Sequence, residues 1–180
     1  PSGRSIQRSY AKGSEEYYNE IYDRYARGEF VHEDSISGKD TVIYKTSKGR
    51  IVYGGGGIRP DIFVPIDTSA DNDYFYAVRA FIPEFVYKYS SRNADQLEKY
   101  KTVNDFKNGF SVSPALVNEF YQYAQVAGLK RNEVKEKKVE EKVKLNLKAF
   151  FAKQIWRMDG YYNITNSDDK VISKAVETLK

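Results

Sequence analysis

Apolar residues recur at three- and four-residue steps through most of the second half of this chain, whereas the first seventy residues mix turn-rich stretches with short β-type runs. Val139, Val143, Leu147, Phe150, Phe151 and Ile155 form one apolar stripe, which predicts a long helix from near Asn132 to just before Gly160. Ser113-Pro114 reads as an N-cap followed by a proline in the first turn. The helix behind it carries Leu116, Val117, Phe120, Tyr121 and Ala124 to a stop at Gly128. Asp71-Asn72-Asp73 opens an earlier helical segment; Pro83 interrupts it and starts another bearing Phe85, Val86 and Tyr89. Ser167-Asp168-Asp169 caps a terminal helix with Val171, Ile172, Ala175, Val176 and Leu179. Near the start, Ser14 is expected to cap a helix through Tyr17, Ile21, Tyr22 and Tyr25 that stops at Gly28.

Between these helices the pattern changes. Residues 29 to 40 are polar and turn-like, and Thr41 to Thr46 reads as a strand. Ser47-Lys48-Gly49 supplies a turn, and Arg50 to Tyr53 a returning strand. Four glycines follow, then a short extended piece, Ile62 to Val64, closed by Pro65. The expected fold is α+β, mainly α: a β-hairpin arm within residues 1–70, then a helical bundle over 71–180.

Composition narrows the function classes. Hydrophobic residues make up 41% of 180, enough for a core, and sixteen tyrosines make that core phenolic. The net charge of +4 is mild and well mixed, without the one-sided clustering of a nucleic-acid footprint, so no nucleic-acid partner is expected. The absence of cysteine excludes disulfides, thiolate metal sites and a cysteine nucleophile. No apolar run approaches the ~20 residues that span a bilayer.

The most specific stretch is Gly49-Arg50-Ile51-Val52-Tyr53-Gly54-Gly55-Gly56-Gly57-Ile58-Arg59-Pro60-Asp61. With the opening Pro1-Ser2-Gly3-Arg4, it resembles the carboxy-terminal processing peptidases, or tail-specific serine proteases. In that family a strand ending in tyrosine-threonine-proline-serine-glycine-arginine precedes a glycine-arginine-x-valine-tyrosine-glycine-rich segment. The tail from Leu147 to Trp156, with Gly160-Tyr161-Tyr162 and Asp168 to Leu179, is similar to the ends of envelope-associated members from Bacteroidetes-type bacteria. The resemblance implies a parent serine endopeptidase with a serine–lysine dyad that cleaves proteins near their carboxyl ends. It places this chain downstream of the catalytic groups, so no residue here inherits the role of nucleophile or base. It also implies a periplasmic or cell-envelope location and protein or peptide substrates reached through the missing domains. The hairpin would be a remnant of the protease body, and the helical part an accessory domain for substrate gating or self-association. The alternative is a stand-alone helical protein-interaction module without a proteolytic role.

Other candidate chemistry has a plainer explanation. Gly54, Gly55, Gly56 and Gly57 could cradle an anion, but no Walker lysine follows the last glycine and the continuation through Pro60 looks extended. The loop is expected either to pack tightly against the protease body or to line the substrate groove. Ser9 and Lys12 have the spacing of a penicillin-recognising enzyme but lack its sheet and motif order. His32 is expected on a surface loop. Asp71, Asp73, Asp168 and Asp169 are expected to favour helix starts rather than bind metal. Lys130 to Lys144 reads as a solvated helix face with Glu133–Lys137 and Glu140–Lys144 pairs. The helically spaced aromatics, Tyr17, Tyr18, Tyr22 and Tyr25 among them, read as core. No cofactor is expected. Exposed hairpin edges would offer strands for pairing between copies.

Overall fold

Helix-start signals organise most of this chain, and a single short hairpin supplies its β-structure, giving the α+β, mainly α class. The computed structural model describes residues 2–7, 13–35, 42–54, 58, 60–66 and 72–179. The chain divides into two compact units, Pro1–Asp67 and Thr68–Lys180.

In the first unit, helix α1 (Ser14–Ala26) begins after Gly13, and the Ser14 side chain makes no cap hydrogen bond. Ser14 is therefore the first helical residue rather than the cap. The aromatic stripe of α1 also departs from expectation. Tyr18, Ile21, Tyr22 and Tyr25 are all exposed and the helix buries nothing. Periodicity marked an apolar face correctly, but nothing among the described residues of this unit covers it. Beyond α1 a 3-10 turn (Glu33–Ser35) follows, then strands β1 (Ile43–Lys45) and β2 (Ile51–Tyr53). They pair antiparallel with Tyr44 opposite Val52. Among the described residues the extended piece Ile62 to Val64 joins no ladder, and just beyond it the Ile66 N–H donates to the Phe30 carbonyl at 2.9 Å.

The second unit holds α2 (Asn72–Arg79), α3 (Ile82–Arg92), α4 (Ala94–Glu98), α5 (Val103–Gly109), α6 (Pro114–Val126), α7 (Glu133–Thr165) and α8 (Lys170–Thr178). Side-chain caps fix several starts: Ser113 accepts from the Leu116 N–H, Asn132 from Lys135, and Asp169 from Val171 and Ile172. Thr102 and Asp105 form a reciprocal capping box that starts α5. Helix α7 is the axis of the unit and packs on α2, α3 and α5, while α3 also meets α6. Its Val139, Val143, Leu147 and Phe151 are fully buried, as their spacing predicts. Aromatic rings fill much of the remaining space: Phe85 meets Phe120 edge-on at 5.3 Å, and Phe106 stacks on Phe110 at 4.5 Å.

Helix α7 is interrupted before Gly160, where the apolar-striped run is expected to end. It breaks at Trp156 and Arg157, where φ and ψ leave the helical region, and resumes to Thr165. Gly160 makes the resumed segment possible, because a Cβ there would lie 2.3 Å from the Ala152 carbonyl oxygen. Arg79 holds both sides of the break, donating to Asn146 before it and to the Tyr161 hydroxyl after it. Gly160→Ala should therefore cost about 1–3 kcal/mol through overpacking, although alanine is the better helix former. The midpoint of urea unfolding reads this directly, and an increase would contradict the close approach.

Candidate functional site

The hairpin carries the most specific sequence motif, and its geometry is simple. Ile43, Lys45, Ile51 and Tyr53 share one face, on which Ile43 and Tyr53 are 58% and 46% exposed. On the other face Tyr44 reaches diagonally across β2 and covers Gly54, where a Cβ would come within 2.6 Å of the ring. A methyl group here would displace the aromatic ring. Arg4 Nη1 donates to the Tyr53 carbonyl at 3.1 Å, so the two motif segments of the sequence meet at the end of β2. Arg50 pairs with Asp61, closing the segment that contains the glycines. Gly55, Gly56, Gly57 and Arg59 lie outside the described residues. Gly54→Ala should swing the Tyr44 ring away and weaken the hairpin by about 0.5–1 kcal/mol. Adding Tyr44→Ser should make the glycine substitution nearly neutral in a double-mutant cycle; additive losses would contradict the contact.

The other residues singled out by sequence are dispersed. His32 is exposed beside the turn at Gly28. Asp73 lies in the first turn of α2, and Asp169 caps α8. Ser9, Lys12 and Asp71 lie outside the described residues. In the basic run Lys144 pairs with both Glu140 and Glu141, at 2.6 and 2.9 Å. No group of three or more His, Cys, Asp or Glu suited to a metal ion occurs among the described residues. Nor is any described helix long and apolar enough to cross a membrane.

Two charged clusters escaped the sequence reading. In the first unit the Glu29 carboxylate is buried and accepts from Arg24 and Arg27, each at 2.8 Å. Burial alone would raise its pKa, but the two guanidinium groups outweigh that and hold it below the ordinary range. In the second unit Arg131 grips Glu136 with two hydrogen bonds, at 2.9 and 2.7 Å. The Tyr74 hydroxyl donates to Glu136 and accepts from the Asn132 N–H. Arg131 lies over the Tyr121 ring, whose hydroxyl is buried without a partner among the described residues and whose pKa burial pushes up. Glu136 and Arg131 are five residues apart, but Tyr74 is 62 residues from Glu136, beyond any local pattern. This cluster pins the start of α7 to α2 and α6; Glu136, Arg131 and the Tyr74 hydroxyl satisfy one another.

Residues 74–157 match the model of a family of unknown function (DUF8443), a span from α2 to the break in α7 and a little under half of the chain. No curated protein matches the chain, and no solved structure does.

Proposed function

We propose that this chain is a non-catalytic part of a serine endopeptidase that cleaves proteins near their carboxyl termini. Its hairpin completes the sheet of the protease body, and its helical unit gates substrate or mediates self-association. The observation that carries the reading is the pairing of family-like motifs on one element. The Ile51–Tyr53 strand leads into the glycines, and Arg4 of the opening segment bonds to its last residue. The hairpin's own chemistry supports addition to a larger sheet. Two strands of three residues are marginal alone, and this pair leaves Val42, Ile43, Ile51 and Tyr53 exposed. Free strand edges beside apolar side chains are the surface that β-augmentation uses. The parent would be periplasmic or cell-envelope associated, acting on protein or peptide substrates.

The exposed apolar stripe of α8 favours a second reading, a helical protein-interaction module: Val171, Val176 and Leu179 are each at least half exposed. One experiment separates the two. The purified chain is incubated with an unfolded protein substrate, and the reading frame upstream of residue 1 is sequenced. The peptidase reading expects no turnover by the chain alone and a serine and a lysine in the upstream frame. Turnover by the chain alone, or an upstream frame without that pair, overturns it.

A further inference from the structure

The segment of α7 beyond its break lies beside Lys107 of α5 and forms one side of a cleft. Arg157 is the one non-glycine residue with positive φ among the described residues, at 56°. Gly160 is pressed against the Ala152 carbonyl. Lys148, partly buried, spends its ammonium on the Lys107 carbonyl at 2.7 Å, tying α5 to the segment before the break. Burial, with the nearby Lys107 charge, lowers the Lys148 pKa. Trp156 packs edge-on against Phe106 of α5 at 5.6 Å, fixing the bend. The resumed helix thereby presents Asp159, Tyr162, Asn163 and Asn166 at steps of three and four residues, on one face beside Lys107. With Ser167 they line an open cleft of about 320 Å³.

Most of the lining groups are exposed to water and make few hydrogen bonds within the described residues. Asn163 and Ser167 donate to the Asp159 and Ile164 carbonyls, which leaves their oxygens free to accept. The Lys107 ammonium, the Asp159 carboxylate, the Tyr162 hydroxyl and the Asn166 amide form no hydrogen bond or ion pair among the described residues. One ammonium and one carboxylate cancel, so the cleft has no net charge to select an anion or a cation. Two amides, a carboxylate and a hydroxyl offer donors and acceptors side by side, matching vicinal hydroxyls that each give and take a hydrogen bond. Tyr162, half exposed, provides a flat ring for the C–H face of a pyranose. No aliphatic side chain lines the cleft to hold an apolar ligand. We infer that this cleft binds a neutral, polyhydroxylated ligand of monosaccharide size. The inference is independent of the proteolytic reading.

The test is an NMR titration of the isotope-labelled full chain with methyl β-glucoside and with N-acetylglucosamine, with sodium phosphate and a neutral tripeptide as controls. The expected result is saturable shifts centred on the side-chain amides of Asn163 and Asn166, with a Kd on the order of 1 mM for at least one sugar. Asn163→Ala with Asn166→Ala should weaken binding about tenfold or more. Tyr162→Ala should weaken it more than Tyr162→Phe, because the ring face matters more than the hydroxyl. All these positions are exposed, and unchanged circular dichroism and melting temperature show that the variants fold. Two results would overturn the inference: no saturable shift up to about 50 mM sugar, or equal or tighter binding of phosphate or the tripeptide at the same residues.

Discussion

Phe85→Ala should lower the stability of the helical unit by about 3–5 kcal/mol, the range for truncating a fully buried phenylalanine. Phe85 has no exposed surface and lies among Tyr89, Phe120 and Tyr123, with ring centroids 5.3 to 5.8 Å away. Its removal strips three ring contacts at the junction of α3 and α6, and the large partner rings cannot collapse into the space. Domains are stable by only about 5–15 kcal/mol, so this change takes much of the margin. Tyr87→Ala is the matched control. Two residues on, Tyr87 is 61% exposed, and its loss should stay within about 0.5 kcal/mol. Urea unfolding should shift its midpoint for Phe85→Ala with the slope unchanged. Equal losses for both variants would mean that the aromatic core is placed wrongly.

Glu136→Ala should cost about 3 kcal/mol, at the lower edge of what breaking a buried ion pair costs, because Arg131 retains some exposure to water. The substitution leaves Arg131 without its carboxylate and removes the acceptor of the Tyr74 hydroxyl. The same cluster predicts a pH dependence. The Arg131 hydrogen bonds hold the Glu136 carboxyl below its ordinary range, against burial, which works the other way. The native carboxyl binds a proton less readily than the unfolded one, so the unfolded state is protonated first as pH falls. The stabilisation is therefore complete above the ordinary carboxylate range and lost as pH falls through the lower native pKa. Unfolding followed by a signal from the helical unit should show this acid loss in the natural chain. In Glu136→Gln the loss should be visibly smaller. An identical acid profile in that variant would exclude Glu136 as its source.

Where a cap residue stood next to an apolar period, the sequence was legible. Ser113-Pro114, Asn132 and Asp169 each start a helix, and the Val139–Phe151 stripe is buried. The short helices α4 and α5 went unread because five and seven residues give too little periodicity; the Thr102–Asp105 capping box was the available signal. The break in α7 has no proline to announce it. The striped run ends before Gly160 as expected, but the helical segment after the break went unread, and Gly160 within it is a point of close approach to a carbonyl eight residues earlier. The stripes of α1 and α8 show a further limit, since periodicity reveals an apolar face but not what covers it. At the hairpin, the two strands and the turn followed from local chemistry, whereas Tyr44 over Gly54 depends on a cross-strand diagonal that only pairing creates.

The claim that this chain completes a peptidase body is tested most directly by reconstitution. On the proposed reading a serine- and lysine-bearing polypeptide is encoded upstream; it is prepared without residues 1–180, and cleavage of an unfolded substrate is followed as this chain is added. The account predicts little cleavage by either part alone and recovery that saturates near one chain per body. It also predicts no recovery with a chain carrying Ile43→Glu and Ile51→Glu on the exposed hairpin face. Cleavage that is the same with and without the added chain would contradict it.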